Sequence, residues 1–333
     1  MPSAQSTAVT QAEPPRVTPR AERLVAEHVR TDLFIGGRLR PARDGQTLTV
    51  EDPATGVEIT RVADASERDC RDALDAAVDA QGTWAASAPR DRARVLRRAA
   101  DALREDAERV AALVTAENGK TLRDAREEVA FAADYLEWFA DEALRIDGRI
   151  VTAPDGRNQH QVVRAPIGPS LVVSPWNFPL AVPARSIGAA LAAGCTVVAR
   201  PSALAPLSAL SLARLLADAG LPAGVLNVVV SSTDDATDPL LADPRLSKLT
   251  FTGSRPVGTH LARLAAERTL PAALELGGCA PFIVMADADL DAAVAGAVAA
   301  KMRNAGAACT AANRFYVERP VAEEFTDRLA EEI

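Results

Sequence analysis

From Ile167 onward, short runs rich in Val and Leu alternate with stretches of helical periodicity. The runs are LVVSPW, TVVAR, VLNVVV and KLTFT; helices are expected over 185–193, 208–219, around 235–241 and over 257–267. Strands that read as continuous apolar runs must be buried on both faces. Helices placed between them supply that cover by crossing over the sheet. This alternation predicts an α/β fold with a doubly wound parallel sheet. In such sheets ligands sit beyond the carboxyl ends of the strands, so the residues that follow each run are the first to inspect for chemistry.

Ahead of the sheet, LFIGGRL and LTVEDPATGVEITRV read as strand pairs broken by Gly-Gly and by the turn DPATG. Three helices are expected next. The first is capped by Ser66 and stopped by Gly82, the second runs over 89–118 to Gly119, and the third covers 122–144, with Tyr135, Trp138 and Phe139 facing the core. An extended stretch over 149–165 turns at PDGRN. After Leu270-Pro271 a second unit begins, with a strand at APFIVM, a helix over 290–302 and a strand near 315–317.

With 333 residues, 48% of them hydrophobic, the chain can bury a large core in two or more units. A net charge of -8 argues against nucleic acid as a partner. The arginines of 90–98 alternate with Asp and Ala and read as a solvated helix face. No apolar run reaches the length of a membrane span, and the first residues have no apolar core of a secretory signal. Residues 1–20, rich in Pro, Ser, Thr and Gln, are expected to form a disordered leader. Four cysteines are scattered without ligand spacing, which predicts no disulfide scaffold, no metal site and a reducing cytoplasmic setting. Cys70, Cys195 and Cys279 read as small buried hydrophobes.

Four segments carry candidate chemistry. SPWNFP, at 174–179, follows the first strand; its prolines fix Trp176 and Asn177, presenting an amide as an oxyanion donor, or simply forming a turn with a structural Asn. VVARPSALAP, at 197–206, puts Arg200 at a strand end, suited to ribose or phosphate or exposed as a surface cation. FTGSRPVG, at 251–258, joins a strand to a helix N-terminus that favours pyrophosphate, with Gly253 permitting close approach. The stretch over 273–313 opens on Glu275 and closes on Cys309 in a small-residue loop. A carboxylate and a thiol are the pair needed to attack a carbonyl and then hydrolyse the thioester.

SPWNFP, the RPS segment, FTGSxxxG, LELGG and the Gly-x-x-Cys loop occur in the order and approximate spacing of the aldehyde dehydrogenase superfamily. From about Asp32 to the last residue the chain resembles that superfamily. LAAGCTVV, GLPAGVLNVV, APFIVMADADLDAAV and KMRNAGAAC are most similar to its succinate-semialdehyde branch. The resemblance implies a Rossmann-like NAD(P)-binding domain over 21–270, with 146–165 as a bridging hairpin for oligomerisation, and the N-terminal part of an α/β catalytic domain over 271–333. Family members continue well past this point, so that domain is expected to be incomplete. The implied activity is NAD(P)-dependent oxidation of an aldehyde to a carboxylate. Cys309 is the implied nucleophile and Glu275 the base that activates water. Asn177 and the Cys309 backbone N–H are the implied oxyanion donors. Trp176, Arg200, Ser202, Ala203, Gly253, Ser254 and Gly258 would line the dinucleotide. Arg185 and Arg303 would hold the distal carboxylate of an acid semialdehyde. A homo-oligomer is also implied.

The chain departs from the family at several of these positions. Arg200 stands where Lys is usual, Ala203 where NAD-preferring members often have Glu, and Ala307 where Gln is usual. Without a carboxylate at 203, and with Arg200 and Ser202 adjacent, NADP is the expected cofactor. Ala311 stands where some members carry a second cysteine, which removes a local disulfide switch. Two other readings stay open: a non-catalytic remnant or interaction subunit, and a CoA-acylating enzyme. Glu275 argues against the second, because acyl transfer to CoA needs no water-activating base.

Overall fold

A computed structural model describes residues 31–333, so the leader expected over 1–20 lies outside the described residues. The chain opens with two hairpins, β1 (Leu33–Ile35) with β2 (Arg38–Arg40) and β3 (Thr47–Glu51) with β4 (Glu58–Ala63). Helices α1 (Glu67–Ala85), α2 (Pro89–Glu105), α3 (Ala107–Asn118) and α4 (Leu122–Glu142) follow, then the hairpin β5 (Arg149–Thr152) and β6 (Gln159–Val162). The alternating part runs β7 (Ser170–Val173), α5 (Ala181–Ala192), β8 (Val197–Arg200), α6 (Leu207–Asp218), β9 (Leu226–Val228), α7 (Asp238–Ala242), β10 (Lys248–Gly253), α8 (Arg255–Ala266) and β11 (Ala272–Leu276). The chain ends with β12 (Pro281–Val284), α9 (Leu290–Met302), β13 (Arg314–Val317) and α10 (Arg319–Glu332).

A seven-stranded sheet of order β11-β10-β7-β8-β9-β1-β2 forms the centre. Its five strands from β11 to β9 are parallel, as the alternation predicts, and β1 adds antiparallel to β9. Side chains alternate between the two faces. Val172, Val197 and Ala199 pack into one core with α2 to α6, while Leu171, Val173 and Val198 pack into another with α1 and α8. Burial on both faces is what makes these strands continuous apolar runs. The chain steps outward from β7 to β8 and β9, then returns across β7 to β10. This sets the topological switch between β7 and β10, whose carboxyl ends carry SPWNFP and GSRPVG.

Several expectations are corrected. The strand that carries Glu275 is not the start of the second unit. It pairs with β10 from Leu249↔Ala272 to Gly253↔Leu276, because Leu274 and Leu276 complete the core beside α8. The second unit is therefore β12, β13, α9 and α10 around Val284, Val294, Ala297 and Phe325. Helix α1 runs past Gly82 to bury Trp84, whose indole N–H donates to the Leu191 carbonyl (3.2 Å). The run over 89–118 is two helices, broken at Asp106. Gly119 (φ 83°) ends the second of them, with Pro53 occupying the space a side chain would need. Trp138 is exposed, since its side of α4 faces away from the core. Arg92 is buried, not solvated: it donates to the carbonyls of Ala192 (3.0 Å) and Ser87 (2.5 Å), closing the end of α5. Cys279 is exposed, because the loop after β11 leaves both cores; Cys70 and Cys195 are buried. Among the described residues no helix is long and apolar enough to cross a membrane.

Glu117 shows how a buried carboxylate substitutes for a missing cap. Helix α6 starts at Pro206-Leu207 with no capping side chain of its own. The Glu117 carboxylate accepts from the Leu207 N–H (2.6 Å), the Ser208 N–H (2.8 Å) and the Ser208 hydroxyl. Complete burial pushes this carboxyl up from 4.5 to about 7, against the pull of those donors. Between those values the folded chain keeps a proton that the unfolded chain has shed, so stability should fall as pH rises through the window, by at most ~3 kcal/mol. Denaturant midpoints measured at about pH 5 and about pH 8 should drop more for wild type than for Glu117→Gln. Equal drops would show that Glu117 does not titrate in this range.

Candidate functional site

The loop after β7 is fixed by a network built on Lys120, which follows the Gly119 turn and is almost fully buried. Its ammonium pairs with Glu128 of α4 and donates to the Asn177 carbonyl (2.9 Å). It also lies 4.5 Å from the centroid of the Phe178 ring. The other Glu128 oxygen accepts the N–H groups of Leu180 (2.9 Å) and Ala181 (3.0 Å), the donors at the start of α5. Burial lowers the Lys120 pKa, and the Glu128 carboxylate acts against that shift. Asn118 holds the next carbonyl, donating to Trp176 O at 2.7 Å. SPWNFP is thus tied down at Trp176 and Asn177, and the helix start that follows it at Leu180 and Ala181. Nothing about SPWNFP itself announces this, but Glu128 stands within the buried stripe of Ala125, Val129, Ala132 and Leu136. A charge in an apolar stripe demands a partner, and that signal in the sequence could have found the pair.

The loop that carries Cys309 meets the same network. Asn304 Nδ2 donates to the Asn177 carbonyl (2.9 Å), and Asn177 Nδ2 donates to the Ala307 carbonyl (2.7 Å). Asn304 and Ala305 have φ of 56° and 53°, followed by Gly306 at 77°. Two left-handed non-glycine residues in succession store backbone strain, and the bonds to Asn177 hold the loop in that shape. Asn304 is buried, with its side-chain oxygen unpaired. Neither its role nor its conformation was expected from the sequence.

Cys309 is exposed and lines a cleft of about 270 Å³ between α4, the start of α5 and the loop 303–310. Arg185, Arg303, Tyr135 and Phe178 line the same cleft. Asp124 and Glu127 do so as well, so the two cations share the cleft with carboxylates. Arg185 Nη2 lies 3.5 Å from Thr252 Oγ1, and Arg303 Nη2 lies 3.5 Å from Thr310 Oγ1. Neither guanidinium is held by a close ion pair among the described residues, which leaves donors free for a ligand. The structure thus brings Cys309, Arg185 and Arg303 together and links Asn177 to them through Ala307. Glu275 is not a lining residue of this cleft; it is exposed on edge strand β11, paired in register with Thr252.

The residues expected to line a dinucleotide lie along the carboxyl ends of the parallel strands. Trp176 is exposed after β7, and Ser254 caps α8 after β10, accepting from the Val257 N–H at 3.5 Å. A Cβ at Gly253 would lie 2.6 Å from the Phe251 ring, and one at Gly258 would lie 2.5 Å from the Leu276 side chain. Helix–sheet packing therefore already accounts for both glycines. Ser202 Oγ accepts from the Leu204 N–H (3.2 Å), shaping the turn that holds Ala203. Arg200, at the end of β8, pairs with Asp234 (2.7 Å) and donates to the Thr233 carbonyl (3.1 Å), while its buried Nε has no partner. That orphan donor, the switch between β7 and β10, and a capped helix N-terminus suit an anionic nucleotide. No cluster of metal-ligating side chains is present among the described residues.

Comparison with known proteins agrees with this arrangement. Residues 40–333 match the profile of the Aldehyde dehydrogenase family. The succinate-semialdehyde dehydrogenase of Paenarthrobacter nicotinovorans is 51% identical over 273 residues, covering 82% of this chain and 61% of that protein. The crystal structure of succinate-semialdehyde dehydrogenase from Burkholderia pseudomallei superposes with a TM-score of 0.89 at 41% identity, covering 91% of this chain and 63% of that one. An NADP dependent enzyme from E. coli superposes equally well, with a TM-score of 0.89, 41% identity and the same coverage, 91% and 63%. The chain therefore spans about three-fifths of the length of these relatives. With a profile match over most of its length and a parallel sheet that superposes on theirs, the chain belongs to the aldehyde dehydrogenase family.

Proposed function

We propose that this chain carries the nucleotide site and the nucleophile of an NAD(P)-dependent dehydrogenase that oxidises an acid semialdehyde, with succinate semialdehyde as the first candidate. The observation that carries this reading is the placement of Cys309 in one cleft with Arg185 and Arg303. The Cys309 thiolate attacks the aldehyde carbon, and the second N–H of the Asn177 amide, with the Cys309 backbone N–H, receives the oxyanion. An ordinary thiol is mostly protonated near neutral pH, so its proton must pass to a base; Glu275 is assigned that role, releases the proton to solvent, and then takes one from the water that hydrolyses the thioester. When bound, the nicotinamide supplies the hydride acceptor. The guanidinium forks of Arg185 and Arg303 hold the distal carboxylate and fix the chain length between carboxylate and aldehyde. Exposed Ile150 and Val163, in and beside the β5–β6 hairpin, support its assignment as an oligomer contact.

The test is reduction of NAD or NADP by folded chain supplied with succinate semialdehyde, followed by the absorbance of the reduced nicotinamide. Arg303→Leu should raise KM for succinate semialdehyde by about 10- to 100-fold, the worth of a charge-assisted bond, and leave an uncharged aliphatic aldehyde within about threefold. Equal losses on both aldehydes would remove the carboxylate role. No turnover from folded chain that still binds dinucleotide would favour a non-catalytic binding subunit.

A further inference from the structure

Arg200 suggests a preference for the phosphorylated dinucleotide until its surroundings are considered. At the end of the second strand of a dinucleotide fold, an acid favours the ribose diol and a free arginine accommodates the 2′-phosphate. Arg200 occupies such a position, ending β8 beside β7. Its terminal nitrogens are already engaged, leaving only the buried Nε without a partner: Nη1 lies 2.7 Å from the Asp234 carboxylate, and Nη2 donates to the carbonyls of Thr233 (3.1 Å) and Ser231 (3.5 Å). The turn that presents these acceptors is itself anchored. Ser232 donates through its N–H (2.9 Å) and hydroxyl (2.6 Å) to Asp64, and Ser231 Oγ donates to Thr233 O at 3.1 Å. Asp235, the next residue in the chain, is exposed. The Arg200 side chain is only 14% exposed, whereas that of Asp234 is 48% exposed, so the group an incoming phosphate meets is the acid.

We propose that Asp234 sets the choice of dinucleotide: it neutralises Arg200 and turns the end of β8 from a phosphate acceptor into a site for the unphosphorylated ribose. This rests on the reading of the strand ends as the dinucleotide site, and it reverses the preference for NADP expected from Arg200, Ser202 and Ala203. A dianionic phosphate at this place must either displace Asp234 from Arg200 or sit beside its carboxylate. Both are unfavourable in a partly buried setting, where charges are weakly screened. A diol meets no such opposition.

Titration of the full chain with NADH and NADPH, followed by the fluorescence of the reduced nicotinamide, tests this without requiring turnover. Wild type should bind NADH at least about tenfold more tightly than NADPH, and Asp234→Asn should shift the ratio towards NADPH by about tenfold or more. Asp234→Glu, which keeps the charge, should retain the wild-type ratio; Arg200→Gln added to Asp234→Asn should cancel the gain. A wild type that prefers NADPH, or a ratio that Asp234→Asn leaves unmoved while both dinucleotides bind, overturns the role of Asp234 and leaves the site standing. Failure of both dinucleotides to bind folded wild type overturns the site and the inference with it.

Discussion

Glu128→Ala should destabilise the chain by about 3–5 kcal/mol, the usual cost of stranding one member of a buried ion pair. Two losses combine. The Lys120 ammonium is left buried with the Asn177 carbonyl as its main acceptor, and the Leu180 and Ala181 N–H groups lose theirs. Denaturant unfolding measures the effect directly through a fall in midpoint at constant slope. The double variant Lys120→Met/Glu128→Leu should lose less than Glu128→Ala alone, because removing both charges also removes their desolvation cost. A single variant within about 1 kcal/mol of wild type would mean that the pair is open to water, contrary to its burial.

Cys309→Ala should abolish dinucleotide reduction by an acid semialdehyde, a loss on the order of 10⁴-fold or more, while leaving NADH affinity within about threefold. The separation of the two readouts is the point: on the proposed reading the thiol belongs to the chemical step, and the strand ends assigned to the nucleotide do not include it. Two exposed cysteines allow an internal control, since Cys279 and Cys309 should both react with a small alkylating reagent. Succinate semialdehyde should protect Cys309 and spare Cys279, as read by mass spectrometry of the labelled chain. Protection of Cys279 instead, or residual turnover in Cys309→Ala, would move the nucleophile elsewhere.

The sheet was legible in the sequence because burial on both faces leaves a local mark: LVV and TVVA are apolar with little alternation, while KLTF alternates and buries only Leu249 and Phe251 fully. Helix α9 was legible to the residue, since Asp289 caps it by accepting from the Asp291 N–H (3.0 Å) and the Ala292 N–H (3.1 Å). What escaped was decided at long range. Whether AALEL joins β10 or opens a new unit depends on side chains of α8, not on the strand's own composition. Trp138 follows the helical period but faces outward, a choice made by the packing of α4 on α2 and α5. Among the site residues, Cys309, Asn177, Arg185 and Arg303 were read from motifs, while Lys120, Glu128, Asn304 and Asp234 were not. These four act through groups far away in the chain: Glu128 through Leu180, Asn304 through Asn177, Asp234 through Arg200. Local patterns carry no trace of such partners beyond a polar residue standing where an apolar one would fit.

Glu275 lies on the last strand of the large sheet, and Cys309 lies beyond α9, which packs in the smaller core, so the two side chains sit on separately packed parts of the chain. The span between them is then a property of how those parts dock, and side-chain bonds from Asn177 and Asn304 tie the loop that carries Cys309 to the loop after β7. On the proposed reading, a change at Asn304 reaches the hydrolysis of the thioester by altering a distance, with Glu275 and Cys309 both still present. Under that reading a slow variant can be one in which the whole chemical inventory is intact and only the seam has slipped.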